Sequence, residues 1–361
     1  MRVAYTLEQC WHDVPGGTAV ATLELARAIA ERGDVDLVGV AGRHRRRPRP
    51  EFVPPVSTTS LPLARPWLYE TWNRWGWPRV ERSTGPIDVC HSTTAIPAAT
   101  RAPHVVTVHD VAFVDHPERF TAHGVRVMLA GLERCRTADV ITCPSRATAD
   151  DLIALGFDAH RLRVVPWGVT ATTVTPADID RVRTAHRLPR RFILFVGTIE
   201  PRKNLTRLAE AVAALDPALP LVVAGAEGWG AAAPAGEGTQ FIGFVPGGDL
   251  PALYAAAEVF AYPSLHEGFG LPVAEAMAHG APVVTSATGA TAEVAGAGAV
   301  LVDPESPVSI AGGLRRALAE PDAWRARGHI RAAELSWHAA AAATVDAYGA
   351  ARALHHDRVS G

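Results

Sequence analysis

The sequence predicts two doubly wound α/β domains that face a central cleft. The chain has 361 residues, 48% of them hydrophobic, which is long for one core and fits two domains of ordinary size. Apolar runs of strand length alternate with amphipathic stretches of helix length, a pattern typical of parallel sheets covered by helices on both faces. The alternation stops near residue 170 and then starts again, so each half of the chain is expected to build its own sheet.

The first half contains six predicted strands and three predicted helices. Each strand is an apolar run bounded by polar or turn residues, and the first helix ends at Gly33, a residue suited to the left-handed conformation that closes many helices. The predicted strands are 2–7, 35–40, 87–92, 104–110, 139–145 and 162–169, and the helices are 18–33, 125–138 and 147–157.

The second half repeats the pattern after a joint at 167–180 that is rich in Thr and Pro. We therefore predict an N-terminal domain over 1–170 and a C-terminal domain over 171–335. A last helix, 336–361, is predicted to pack back toward the N-terminal domain and to end in a frayed tail. The predicted strands are 191–197, 219–225, 239–245, 259–264, 281–286 and 299–303, and the helices are 204–215, 249–257 and 271–280.

Composition excludes several classes of protein. The formal net charge of -2 provides no overall basic field for nucleic acid. The four cysteines show no C-x-x-C spacing, so neither a zinc site nor a disulfide framework is predicted. The D-x-D strings at 34–36 and 178–180 are interpreted as solvent-facing charges, and no metal site is expected. No apolar run has the length of a signal peptide or a membrane span, which predicts a cytoplasmic protein.

A single lysine stands in the stretch "FILFVGTIEPRKNL". Lys203 is the one lysine among 35 lysine and arginine residues. Together with Arg202 it follows a predicted strand and precedes a helix for which Asn204 is the predicted N-cap. Two cations at such a position suit a pyrophosphate. A lysine that forms a Schiff base with pyridoxal phosphate is the alternative.

Two further groups follow strands of the first half. Gly16, Gly17 and Thr18 come just before a predicted helix, where glycines let a ligand approach the backbone and free amides attract an anion. An ordinary Gly-Gly turn is the alternative. His109 and Asp110 follow the fourth strand. The histidine there is a candidate hydrogen-bond donor or proton shuttle, and a structural histidine is the alternative.

The segment "EGFGLPVAEAMAHG" places two carboxylates around a predicted helix start. Glu267 lies in the loop, Pro272 fits the first turn, and Glu275 is expected in that same first turn. Carboxylates can accept hydroxyl groups of a sugar or ribose, and amides at a helix N-terminus can bind phosphate oxygens. The segment therefore favours a sugar nucleotide as ligand. The amides are those of Phe269, Gly270 and Leu271.

These motifs together resemble the family 4 retaining glycosyltransferases of GT-B fold. The resemblance covers most of the chain and is most specific in the Glu–seven residues–Glu signature that starts at Glu267. It implies an enzyme that moves a sugar from a nucleotide donor, with retention of configuration and without a metal. The matching segments are 15–18, 108–110, 144–152, 164–169, 197–205 and 267–284.

The resemblance also implies a role for each motif residue. His109 is expected to contact the transferred sugar, Arg202 and Lys203 to hold the diphosphate, and Glu267 to bind a sugar hydroxyl. Glu275 is expected to bind the ribose. Other donor contacts are expected at Gly17, Val245, Phe269, Gly270 and Leu271, with 224–230 on the same side, and acceptor-side candidates are Gly16, Thr18 and Asp110.

The expected reaction is transfer of a hexose to a glycan or lipid-linked acceptor. The motif "GTIEPRKN" favours mannose from GDP-mannose, although a UDP-linked donor remains open, and no separate cofactor is expected. Two alternatives stay open at this point: a catalytically inactive GT-B partner protein, and a pyridoxal-dependent enzyme of phosphorylase type.

Two surface features bear on the acceptor. A basic run at 43–49 and tryptophans between 67 and 77 could rest on an anionic membrane at its inner face. The sequence favours the other interpretation, a solvated loop and a helix whose tryptophans pack into the N-terminal domain, because apolar stripes on helices usually face a core.

Overall fold

The computed structural model describes residues 1–12, 16–226 and 238–360. The chain divides into two compact units, one formed by Met1–Gly168 with Trp337–Gly361 and the other by Val169–Ser336. The first boundary lies after residue 168, two residues before the predicted one, and the second lies after residue 336, one residue beyond the predicted one.

Among the described residues of the first unit, seven short strands form one sheet. They are β1 (Arg2–Thr6), β2 (Asp36–Ala41), β3 (Thr58–Ser60), β4 (Val89–Ser92), β5 (His104–Thr107), β6 (Val140–Cys143) and β7 (Leu162–Val164). All neighbouring strands are parallel, in the order β3-β2-β1-β4-β5-β6-β7. The order reverses between β1 and β4, and ligands of doubly wound sheets bind outside the carboxyl ends of the strands at such a point.

Helices flank this sheet. They are α1 (Gly16–Glu31), α2 (Trp67–Trp75), α3 (Glu81–Thr84), α4 (Ala112–Asp115), α5 (Ala122–Cys135) and α6 (Arg146–Ala154). One core cluster includes Val106, Phe113 and Leu152, and another includes Val40, Leu68 and Trp72. The short helices and the edge strand β3 were not predicted from the sequence.

The second unit repeats the architecture, with six strands in its described ranges. They are β8 (Ile193–Val196), β9 (Leu221–Ala224), β10 (Thr239–Gly243), β11 (Val259–Tyr262), β12 (Val283–Ser286) and β13 (Val300–Val302). The order is β10-β9-β8-β11-β12-β13, again parallel, with the reversal between β8 and β11. The predicted fold class, two doubly wound α/β sheets, is confirmed.

Seven helices in the described part of this unit flank the second sheet. They are α7 (Pro176–Ala185), α8 (Leu205–Ala213), α9 (Leu250–Ala256), α10 (Leu271–Ala278), α11 (Gly289–Ala295), α12 (Pro307–Ala319) and α13 (Pro321–Glu334). The D-x-D string 178–180 lies in α7, where Asp178 forms a capping box with Thr175.

The last helix, α14 (Trp337–Ser360), belongs to the first unit and packs on α1, β4, β5 and β6. The Tyr348 hydroxyl lies 2.8 Å from His91 Nδ1, and both residues are fully buried. Near its end, Arg358 forms an ion pair with Asp139 (3.0 Å). The prediction of a frayed tail is therefore wrong, because the helix continues through Ser360 and its last turns are bonded to Thr137 and Asp139, just before β6.

The four tryptophans between residues 67 and 77 differ in their exposure to solvent. Trp72 is buried in the core, as the sequence favoured, but Trp67, Trp75 and Trp77 are exposed. The interpretation that all four pack inward is wrong for three of them. The buried face of α2 is formed by Leu68, Tyr69, Thr71 and Trp72, which leaves Trp67 and Trp75 at its two ends outside that face, and Trp77 lies beyond the helix.

Candidate active site

A cluster of opposite charges lies at the carboxyl ends of β8 and β11, where the strand order of the second unit reverses. Lys203 Nζ donates hydrogen bonds of 2.6 Å to Glu267 Oε1 and 2.6 Å to the Tyr262 hydroxyl. Arg202 Nη1 donates to the other oxygen of Glu267, Oε2, at 2.9 Å. Each carboxylate oxygen of Glu267 is thus held by a different cation.

The local backbone explains how two consecutive cations reach one carboxylate. Residues Pro201–Lys203 form a 3-10 turn, closed by Asn204 in the left-handed conformation with φ 61°. Asn204 is the N-cap residue of α8, as predicted, but its side chain does not cap the helix, and its Oδ1 atom accepts from Arg207 Nη1 at 3.0 Å. Its Nδ2 atom donates to the carbonyl oxygens of Pro263 (3.0 Å) and Pro304 (2.6 Å). These two bonds fix the turn to the loops after β11 and β13.

The cluster is electrically balanced and largely closed to water. Arg202 also forms an ion pair with Glu200, at 2.7 Å between Nη2 and Oε1, so two cations face two carboxylates. The side chain of Lys203 is 7% exposed and that of Arg202 is 20% exposed. Arg202 is therefore the cation more open to a ligand, and Lys203 lies behind it.

Burial and charge act in opposite directions on these groups. Burial raises the pKa of Glu267, but the charges of Arg202 and Lys203 outweigh it and hold that pKa at about 2. Burial and the charge of Arg202 lower the pKa of Lys203, against the opposing effect of Glu267 and Glu200. Glu267 is consequently ionised at neutral pH and serves as the shared counter-charge of both cations.

The start of α10 lies next to this cluster in the sequence. Gly270 is the N-cap, with φ 98°, and a Cβ atom there would lie 2.9 Å from the Thr291 side chain. A glycine is therefore required at this position. The predicted first-turn location of Glu275 is wrong: the helix begins at Leu271, so its fifth residue lies in the second turn.

Glu275 is held by a tyrosine that the sequence analysis did not identify. The Tyr254 hydroxyl donates to Glu275 Oε2 at 2.8 Å. Burial raises the pKa of Glu275, and the hydrogen bond from Tyr254 opposes that rise. His279 Nδ1 donates to the Glu275 carbonyl oxygen at 2.8 Å and so anchors the end of the same helix.

His109 follows β5 in the first unit, and its hydrogen bonds define its tautomer. Its Nε2 atom donates to the Thr93 carbonyl oxygen at 2.7 Å. In the described part of the chain its Nδ1 atom is buried and has no hydrogen-bond partner. Burial lowers the pKa of His109, which favours the neutral ring. The expected donor role is therefore corrected, because in this tautomer the available atom, Nδ1, accepts a hydrogen bond.

The acceptor-side candidates occupy different local structures. Gly16 and Thr18, together with the donor candidate Gly17, were predicted to lie just before the helix. They instead form the start of α1, with Gly16 at φ 62°. Asp110 Oδ1 accepts a hydrogen bond from the Ala112 amide at 3.1 Å and so shapes the turn before α4.

The remaining donor candidates lie in the second unit. Val245 follows β10 and is buried. Phe269 and Leu271 are buried on either side of Gly270. Of the segment 224–230, residues 227–230 lie outside the described residues.

Comparison with known proteins identifies the family. The Glycosyltransferase Family 4 model matches residues 15–173, and the Glycosyl transferases group 1 model matches residues 177–333. The O-antigen chain mannosyltransferase B of Escherichia coli is 33% identical over 68% of this chain and 69% of that protein. A D-inositol 3-phosphate glycosyltransferase of Xylanimonas cellulosilytica is 33% identical over 93% of this chain and 92% of that protein. This chain belongs to the family 4 glycosyltransferases.

The fold of this glycosyltransferase also matches solved structures. The Anabaena protein HepE, solved in complex with UDP and glucose, superimposes with a TM-score of 0.70 over 96% of this chain and 98% of that one. At 18% sequence identity this likeness concerns the fold, GT-B. Family membership favours the glycosyltransferase over the two alternatives that the sequence left open.

The described residues of this glycosyltransferase contain no group of three or more His, Cys, Asp or Glu side chains placed to hold a metal ion. None of the helices in the described ranges combines the length and the apolar character that crossing a bilayer requires.

Proposed function

We propose that this glycosyltransferase moves a hexose from a nucleotide sugar to a glycan or lipid-linked acceptor, with retention of configuration and without a metal. GDP-mannose is the proposed donor, and mannose is the sugar that is transferred. The motif "GTIEPRKN" and the similarity to the Escherichia coli mannosyltransferase support that choice. UDP-glucose is the second donor to test, because the structural neighbour from Anabaena was solved with UDP and glucose.

The observation that carries the proposal is the cluster of Arg202, Lys203 and Glu267. In the reaction the bond between C1 of the sugar and the diphosphate oxygen breaks, and charge develops on the departing diphosphate. Cations that are already fixed in a poorly hydrated place stabilise such charge without further rearrangement. Arg202 offers a fork and the more open position, whereas Lys203 adds a compact charge behind it.

Glu267 has two duties in this proposal. It positions both cations in the absence of donor, through the bonds to its two oxygens. When the donor binds, its diphosphate takes over part of the pairing of Arg202 and Lys203 with Glu267. The carboxylate of Glu267 then becomes available to accept a hydrogen bond from a hydroxyl group of the sugar.

The acceptor oxygen forms the new bond to C1 on the side from which the diphosphate departs. Its proton passes to a departing phosphate oxygen, so no protein carboxylate is needed as nucleophile or base. Asp110 is the nearest candidate in sequence for such a role, and one of its oxygens already accepts the Ala112 amide.

His109 and Glu275 are proposed to orient the donor. Nδ1 of His109 suits a hydroxyl proton of the sugar, since it is an acceptor without a partner among the described residues. The carboxylate of Glu275, held by Tyr254, suits the ribose hydroxyls.

A panel of sugar nucleotides tests the proposal. Purified protein is incubated with GDP-mannose, UDP-glucose and related donors, and both nucleotide release and the shift in melting temperature are recorded. We expect the largest response with GDP-mannose, its loss in Glu267→Gln, and no loss in Glu210→Gln, a control on the exposed surface of α8. A response to no sugar nucleotide contradicts the proposal. A response to UDP-glucose alone contradicts the choice of donor.

A further inference from the structure

Three tryptophans of the first unit are exposed to solvent. Trp67, Trp75 and Trp77, which we call the tryptophan patch, are 69%, 72% and 44% exposed. Trp72 of the same segment is 2% exposed, and its indole nitrogen donates to the Pro78 carbonyl oxygen at 2.9 Å. Groups of large exposed apolar side chains mark surfaces that contact a membrane or another molecule.

The helix that carries most of the patch, α2, is firmly held in the first unit. Leu68, Tyr69 and Trp72 anchor the inner face of α2 in the core. Asn73 Nδ2 donates to the Val127 carbonyl oxygen of α5 at 3.1 Å, which fixes the outer part of the helix. The tryptophans therefore project from a rigid support.

Helix geometry places the two helical tryptophans on neighbouring parts of the surface. Trp67 and Trp75 are the first and last residues of α2. Eight positions correspond to about 12 Å along the axis and about 80° around it. Trp77 follows directly, after the left-handed Gly76.

The segment 65–82, which contains the patch, is rich in arginine, although the whole chain carries a net charge of -2. Four arginines of this segment are exposed and form no ion pair with any described residue. The two acidic residues of the segment are already engaged: Glu70 pairs with Arg126, and Glu81 accepts hydrogen bonds from Thr100 and the Arg101 amide. The four arginines are Arg65, Arg74, Arg79 and Arg82.

The basic run 43–49 begins beside the same segment. The Arg43 amide donates to the Leu63 carbonyl oxygen at 2.9 Å, two residues before Arg65. His44 is held in place by Glu8 (3.0 Å) and stacks on Trp11. The run thus adds arginines next to the start of α2.

We propose that the tryptophan patch docks on the surface of an anionic lipid bilayer. Indole rings favour the interface between headgroups and acyl chains, because one edge is polar and the rest is apolar. Arginines beside them gain from the negative potential of anionic headgroups. The combination of unpaired cations and exposed indoles fits a lipid surface better than a neutral apolar partner, which would leave the arginines without counter-charges.

Vesicle binding tests this inference without any sugar nucleotide or acceptor, so its outcome is separate from that of the proposed transfer reaction. Sedimentation with phosphatidylcholine vesicles, with and without phosphatidylglycerol, gives the bound fraction. We expect binding only with phosphatidylglycerol and a weakening at high salt. The double variant Arg74→Gln/Arg79→Gln should bind about 25-fold more weakly, since each surface arginine contributes about fivefold.

Matched variants separate the patch from general effects. Trp67→Ser/Trp75→Ser should lose most of the binding, whereas Trp324→Ser and Arg190→Gln, both in the second unit, should bind as the wild type does. Melting temperatures of the patch variants should stay unchanged, because their side chains are exposed.

Three outcomes overturn the inference. The first is absence of binding to phosphatidylglycerol vesicles, and the second is equal binding by wild type and patch variants. The third is a patch variant that dissociates an oligomer in sedimentation velocity, which would make the patch an interface between protein chains.

Discussion

Lys203 and Glu267 form a nearly buried ion pair, with 2.6 Å between Nζ and Oε1 and side-chain exposures of 7% and 9%. Lys203 also donates to the Tyr262 hydroxyl, so it lies between two oxygens of the second unit. The lone lysine of the chain is therefore a packed, paired residue as well as a candidate phosphate ligand.

Replacement of this lysine by arginine should not be conservative. A planar guanidinium is larger than the ammonium that fits between Glu267 and Tyr262. We expect Lys203→Arg to lower turnover at saturating donor by about a hundredfold, the usual cost of a misplaced electrostatic stabiliser. Lys203→Ala should be slower still and should lose about 3 kcal/mol of stability, because Glu267 would stay buried with one cation fewer. Equal turnover of Lys203→Arg and wild type would show that any cation serves there.

His109→Ala should reduce turnover while the nucleoside diphosphate still binds, because its proposed contact is with the sugar. Loss of one hydrogen bond of this kind costs about tenfold in rate. Calorimetry with GDP is the control measurement. Loss of GDP binding in His109→Ala would refute the assignment.

The pH dependence of turnover tests the proposed tautomer of His109. Its pKa is lowered by burial, so the accepting Nδ1 is available above that pKa and is lost as the pH falls through it. We expect the acid limb of turnover to lie below about pH 6.5, the ordinary value for histidine. An acid limb above pH 6.5 that disappears in His109→Asn would contradict this.

Glu275→Ala should weaken nucleotide binding by about ten- to a hundredfold, since a charge-assisted hydrogen bond contributes roughly 1.5–3 kcal/mol. Tyr254→Phe should have a smaller effect in the same direction, because it removes the group that holds Glu275 (2.8 Å). Burial raises the pKa of Glu275, so affinity should fall on acidification at a higher pH than an ordinary glutamate would cause. Calorimetry across pH is the measurement, and unchanged affinity in Glu275→Ala would sink the ribose assignment.

Buried His91 should make the stability of the first unit depend on pH. Burial lowers the pKa of His91 to about 3, so the unfolded chain binds one more proton between that value and about pH 6.5. Stability should therefore fall as the pH drops through this window, by up to about 1.4 kcal/mol per pH unit from this residue. Thermal unfolding of His91→Gln should show a shallower pH dependence than the wild type. Parallel curves for the two proteins would show that His91 does not contribute.

Addition of EDTA should leave sugar transfer largely intact. The proposed stabilisers of the leaving group are Arg202 and Lys203, which need no divalent ion. Activity with EDTA, with and without added magnesium, is the measurement. Complete inhibition that magnesium reverses would require a metal in the mechanism.

The sequence predicted the two sheets because most of their strands are continuous apolar runs that are buried on both faces. It did not predict β3, a three-residue edge strand of polar residues. It placed Arg202, Lys203 and Glu267 in one functional group, and the structure brings their side chains together.

Residues that act through their hydroxyl groups were the main omission at the site. Tyr262 ends the apolar strand β11 and Tyr254 lies in α9, so both had the pattern of core residues. Their contacts with Glu267 and Glu275 join positions distant in the sequence or in different elements. Such contacts depend on how helices and strands pack, which periodicity does not encode.

The placement of α14 bears on how the protein is synthesised. Residues 169–336 form one continuous unit, which can fold as soon as it has left the ribosome. The first unit, although begun earlier, acquires the helix that bears Tyr348 and packs on His91 and the sheet only at the end of synthesis. During translation the earlier-made half is therefore exposed for longer than the later-made half, and a nascent chain stalled before residue 337 would leave it without its last helix.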